Sequence, residues 1–132
     1  MSKIKIAIAD DYKIFREGLK VGLSADDSLE VMLEADNGED LLKALETATP
    51  DIILMDLKMP IMDGMEATEA IRNMENPEKK NLPIIALTAS SLESDTESYL
   101  AGGMDSCVIK PFKDTVLIGA IKEALNKRGV EI

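Results

Sequence analysis

Histidine and tryptophan are both absent from the 132 residues, and aromatic rings make up only 3% of the chain. Without histidine there is no imidazole metal site, no serine–histidine pair and no phosphohistidine donor. With so few rings, a surface on which nucleobases stack is not expected. Cysteine occurs once, at Cys107, so an internal disulfide is impossible, which suits a reducing compartment. No run of about 18 apolar residues occurs. Residues 1–3 lead straight into an apolar stretch too short for a secretory core. These features predict a soluble, cytoplasmic protein with no membrane span.

Positive charge is also scarce: 15 Lys and Arg stand against 25 Asp and Glu, for a net charge of -10. An acidic surface repels a phosphate backbone, so this segment is not expected to bind nucleic acid. A chain of this length fits one domain, taken as residues 1–132, and buries roughly two-thirds of its unfolded surface without a disulfide or metal staple.

What the chain does contain is an alternation. Short apolar runs at residues 4–9, 29–34, 51–55, 83–87 and 106–109 read as strands. The first, third and fourth are almost continuously apolar, as in strands covered on both faces. Between them apolar residues recur at helical spacing: Phe15, Leu19 and Leu23; Leu41, Ala44, Leu45 and Ala48; Ala67, Ile71 and Met74; Val116, Leu117, Ala120, Ile121, Ala124 and Leu125. A fourth helical segment, residues 91–101, is rich in Ser, Glu and Asp and offers only Leu92, Tyr99 and Leu100 as anchors. It reads either as a solvated helix or as a weakly held element that shifts cheaply. Residues 75–81 read as a polar loop. The fold expected is α/β: a single doubly wound, five-stranded parallel sheet of flavodoxin-like order 2-1-3-4-5 with five helices.

Polar residues follow the strands with regularity. Asp10 and Asp11 follow the first, Asp56 the third, Thr88 the fourth and Lys110 the fifth. In open α/β sheets ligands bind beyond the carboxyl ends of the strands, where the strand order reverses. The order 2-1-3-4-5 therefore brings Asp10, Asp11 and Asp56 together, with Thr88 and Lys110 closing the pocket. Two carboxylates ~5 Å apart repel by roughly 3 kcal/mol at an effective dielectric of about 20. A hard divalent cation relieves that repulsion, and few carboxylates with open water positions suit Mg2+. With Lys110 as a cation and the Thr88 hydroxyl as a neutral donor, the set describes an aspartate nucleophile for phosphoryl transfer. Singly, each residue has a plainer use: Asp10 as a helix cap, Asp56 as a loop acid, Thr88 as a strand-end hydroxyl, Lys110 as a solvated lysine. Their joint placement favours the chemical reading.

These residues resemble the receiver domain of two-component response regulators over about residues 3–127. The motifs are Ile8-Ala9-Asp10-Asp11, Met55-Asp56-Leu57-Lys58-Met59-Pro60 with Met62-Asp63-Gly64, Leu87-Thr88-Ala89, and Lys110-Pro111-Phe112. The resemblance implies that Asp56 is the phosphoacceptor. It further implies that Asp11, Asp56 and the main-chain carbonyl of Lys58 bind Mg2+, with Asp10 acting mainly through water. Thr88 and Lys110 would hold the phosphoryl group, Lys110-Pro111 would be cis, and Gly64 would serve a tight turn into a helix. Lys58 and Ser90 flank the site and are expected to tune the lifetime of the phosphorylated state. One departure stands out: where the family usually has an aromatic ring three residues before the lysine, this chain has Cys107. Output would then rely on residues 88–91 and the following helix.

Implied partners are a sensor histidine kinase or histidine phosphotransfer protein, and a downstream protein target or a missing output domain. The chain would be a single-domain regulator or a piece of a longer one. A homodimer through the fourth and fifth helices is a further implied assembly. The rival enzyme reading is a Mg2+-dependent phosphatase of the haloacid-dehalogenase type, but its Asp-x-Asp pattern is missing from both Asp56-Leu57-Lys58 and Asp10-Asp11-Tyr12. A flavin module on the same topology would need a phosphate loop where Asp10 and Asp11 stand. The expectation is a phosphoacceptor switch, not an enzyme, that promotes its own phosphorylation and dephosphorylation.

Overall fold

The computed structural model of the chain describes residues 3–89 and 92–128. Five strands, β1 (Ile4–Ala9), β2 (Leu29–Ala35), β3 (Ile52–Asp56), β4 (Ile84–Thr88) and β5 (Ser106–Ile109), form one parallel sheet. Their order is β2-β1-β3-β4-β5, the one expected. The helices among the described residues are α1 (Lys13–Leu23), α2 (Gly38–Leu45), α3 (Gly64–Arg72), α4 (Pro77–Lys80), α5 (Glu93–Ala101) and α6 (Asp114–Lys127).

Strand alternation sorts the core into two halves. Ile4, Ile6 and Ile8 of β1, Ile52 and Leu54 of β3, and Ile85 and Leu87 of β4 face Leu19 and Leu23 of α1 and Leu117, Ile121 and Leu125 of α6. The intervening residues, among them Ala7, Ile53, Met55, Ile84 and Ala86, meet Leu41 and Leu45 of α2 and Ala67 and Ile71 of α3. Central strands covered on both faces have no solvent side to keep polar, hence their continuous apolar runs.

Among the described residues there are six helices rather than five. The addition is α4, inside the segment read as a loop. Asn76 caps it by accepting from the Glu78 N–H, and Pro77 occupies the first turn. An Asn-Pro start of this kind is a helix signal in its own right. β2 runs one residue further than expected, and β3 and β4 each start and end one residue later. Asp56 still pairs with Leu87, and Thr88 with Ile109, so both polar residues are held by the ladder. The anchors expected for α5 are mostly not anchors: Leu92 and Leu100 are exposed, and only Tyr99 packs partly against the core. Ala48 and Met74 lie beyond the ends of α2 and α3.

Candidate functional site

β1 ends at Ala9 and β3 at Asp56 on adjacent strands, so the residues that follow β1 meet the end of β3. Asp10, Asp11 and Asp56 each place a carboxylate oxygen within 4.8 Å of the others. They differ in access: Asp10 is buried, Asp56 half-buried and Asp11 exposed. Lys110 enters from the end of β5. Its Nζ lies 3.3 Å from Asp10 Oδ2 and 3.6 Å from Asp56 Oδ1, so one cation faces two of the three acids. Lys110 directly follows β5 and is joined by a cis bond to Pro111, and its N–H donates to the Thr88 carbonyl at 2.7 Å. Thr88 itself is buried, one residue past the partner of Asp56.

The plainer use of Asp10 is ruled out in part. The N-cap of α1 is Tyr12, whose side chain makes no cap bond. Asp10 Oδ1 does accept from the Tyr12 N–H at 2.9 Å, while its Oδ2 faces Lys110. One oxygen shapes the loop and the other belongs to the pocket. Burial pushes the Asp56 carboxyl above its ordinary range, and the nearby Asp10 adds to the rise. Lys110 and the Lys58 N–H, which donates to Asp56, oppose it. The pocket is therefore short of positive charge. Three convergent carboxylates in an all-oxygen setting, one of them open to water, fit a hard divalent cation.

Gly64 is needed for a reason other than a left-handed turn. Among the described residues Gly103 is the glycine with positive φ, whereas a Cβ at Gly64 would collide with the Asp56 carbonyl and crowd Leu57. This close approach lets α3 start directly beside the phosphoacceptor candidate. Asp63 and Glu66 form a capping box at that start. Cys107 is half-buried on the side of the sheet that faces α5, where it is hydrogen-bonded to Thr96, and burial pushes its thiol up. Ser90 lies outside the described residues.

Two residues passed over in the sequence also shape the site. Arg16 is a buried cation that donates to the Asp10 carbonyl and to Asp36 and Glu34, at 2.7 Å and 3.1 Å for the two acids. The signal was a charged residue on the apolar stripe of α1, in step with Leu19 and Leu23. Phe15 read as a core residue, but Lys110 Nζ sits 4.0 Å from its ring centroid.

No helix among the described residues is long and apolar enough to cross a membrane. Residues 6–122 match the model of the response regulator receiver domain. The response regulator protein VraR of Staphylococcus saprophyticus is 31% identical over 127 residues, covering 96% of this chain. The chain spans 59% of that relative's length. The receiver domain of the putative response regulator NarL from Mycobacterium tuberculosis superimposes with a TM-score of 0.86 at 28% identity, covering 96% of this chain and 98% of that one. The receiver domain of sensor histidine kinase PA1611 from Pseudomonas aeruginosa, which has a magnesium ion in its active-site cleft, gives 0.82 at 31% identity, covering 95% and 99%. Its relatives thus include both response regulators and histidine kinase receivers, and the chain belongs to the response regulator receiver domain family, a family of two-component signalling switches.

Proposed function

We propose that Asp56 accepts a phosphoryl group from a phosphohistidine on a sensor kinase or histidine phosphotransfer protein. The observation that carries this reading is the meeting of the Asp10, Asp11 and Asp56 oxygens within 4.8 Å beneath the Lys110 ammonium. A carboxylate oxygen of Asp56 attacks phosphorus in line, the P–N bond breaks, and the imidazole leaves with its electron pair. Lys110 moves from its carboxylate partners to a phosphoryl oxygen, and the Thr88 hydroxyl donates to another. The same residues hold the acyl phosphate while water attacks it, so the domain promotes both its phosphorylation and its dephosphorylation.

Asp10, Asp11, Asp56 and the main-chain carbonyl of Lys58 are the groups that would hold Mg2+. When bound, the ion offsets the charge that develops on the phosphoryl oxygens. We place the domain in the cytoplasm, where Cys107 stays reduced.

The output follows from the weakest part of the fold. A new dianion draws Thr88 toward it and biases the segment that leads into α5. Leu100 on α5, Ile109 on β5 and Val116 on α6 are exposed. They offer apolar contact to a downstream protein, an attached output domain or a second copy paired through α5 and α6. Intact-mass measurement after incubation with acetyl phosphate and Mg2+ tests the proposal. Gain of one phosphoryl group is expected, with none in folded Asp56→Ala. Gain that persists in Asp56→Ala would overturn it.

A further inference from the structure

The Lys110 ammonium touches three groups, and only two of them are acids. Asp10 and Asp56 lie at 3.3 Å and 3.6 Å, and the face of Phe15 lies 4.0 Å from Nζ to ring centroid. Phe15 is in the first turn of α1, and Phe112 packs edge-to-face against it with centroids 6.2 Å apart. Both rings rest on the α1/α6 half of the core. The ring is therefore held by packing rather than by the charge it faces. A cation over an aromatic face is attracted by the ring quadrupole, and this attraction does not depend on the state of the carboxylates.

That independence matters for the chemistry. A metal ion that engages Asp10 and Asp56 takes from Lys110 the two acids that hold it. A lysine on a flexible four-carbon stem would then relax into water unless another group held it. We infer that Phe15 is a positioning residue for the phosphoryl reaction. Its ring seats the Lys110 ammonium at the pocket while the carboxylates serve the metal, ready for the incoming phosphoryl oxygen. The inference rests on the reading of Asp56 as phosphoacceptor, and it adds α1 to the elements that set the rate.

The test has two readouts. The first is the proton NMR shift of the Lys110 ε-methylene, which a ring face at this distance moves upfield. The shift should be present in the wild type with and without Mg2+, and lost in Phe15→Leu. The second is the rate of phosphoryl uptake from acetyl phosphate by chains carrying Phe15 with one, two or three ring fluorines, which drain the ring face of negative potential while keeping its shape. The rate should fall stepwise, by roughly five- to tenfold across the series. Phe15→Tyr should stay within about twofold of the wild type, because it keeps the ring face. No trend is expected in a Lys110→Met background. A flat series in the wild type, or Lys110 protons without the ring shift once Mg2+ is added, would overturn the inference. Absence of uptake in the wild type with the ring shift intact would instead refute the phosphoacceptor reading and, with it, the catalytic role given to the ring.

Discussion

The two ends of the sheet use the same residue types in opposite proportions. At the carboxyl end three aspartates converge and one lysine reaches two of them. At the amino end one aspartate, Asp105, is held by two arginines, Arg72 and Arg128, and also accepts from the Ile84 N–H at 2.8 Å. Arg72 also donates to the carbonyls of Gly103, Lys80 and Leu82. The network ties α3, β4, α6 and the turns flanking β4 and β5 into one clasp. At the opposite end the partners do not balance, and the deficit of positive charge is what a ligand would supply. An acid with surplus cations holds a fold together, whereas acids with too few cations await something else.

Breaking the clasp should produce the largest change in stability. Asp105→Ala leaves the half-buried Arg72 without its carboxylate and the Ile84 N–H without an acceptor. The expected cost is about 3 kcal/mol, at the low end for a broken ion pair because Arg128 is partly exposed to water. Urea denaturation measures it. Phosphoryl uptake, read at a urea-free temperature well below melting, should stay close to that of the wild type. A large loss of uptake in a folded Asp105→Ala would show that the two ends are coupled rather than separate.

The opposite end should respond to metal instead. If Asp10, Asp11 and Asp56 form a cation site, Mg2+ at ten times its dissociation constant stabilises the wild type by about 1.4 kcal/mol through mass action. Asp11→Asn should remove that gain, and Asp105→Ala should keep it. Thermal melts with chelator and with Mg2+ make the comparison. An undiminished Mg2+ response in Asp11→Asn would take that residue out of the ligand set.

How far these two ends could be read in advance follows from what each depends on. The sheet was legible because buried strands must be apolar throughout, and β1 and β5 begin and end where their apolar runs do. The pocket was legible because strand order alone decides which strand ends are neighbours, so Asp10, Asp11 and Asp56 needed no side-chain detail to be brought together. The clasp was not. Arg72, Asp105 and Arg128 stand far apart in the chain, and nothing in their local patterns says which acid meets which base. α4 was hidden by polarity, since it has no apolar spacing and its signal is the Asn76-Pro77 start alone. The double use of Asp10 and the ring under Lys110 depend on side-chain direction, which spacing along a strand or helix leaves open.

Removing an acid from the pocket should stabilise the fold, the reverse of its effect at the clasp. In chelator, Asp56→Asn relieves the repulsion from Asp10 and the cost of holding a half-buried charge, for an expected gain of about 1 kcal/mol at neutral pH. The same substitution should forfeit the Mg2+ response and all phosphoryl uptake. A destabilised Asp56→Asn would mean that Lys110 and the Lys58 N–H already compensate the charge, and the contrast between the two ends would collapse.

The smallest effect is expected from Lys110→Met, and it is the sharpest probe of that compensation. The lysine attracts Asp10 and Asp56 but pays for partial burial over Phe15, so its removal in chelator should cost only about 0.5 kcal/mol. Its absence leaves Asp10 and Asp56 facing each other with no cation between them. Asp56→Asn should therefore stabilise the Lys110→Met chain more than it stabilises the wild type, by a margin equal to the direct attraction between Lys110 and Asp56. A double-mutant cycle in urea isolates the margin. Equal gains in the two backgrounds would mean that Lys110 does not attract Asp56, and that Asp10 and the ring hold it over the pocket.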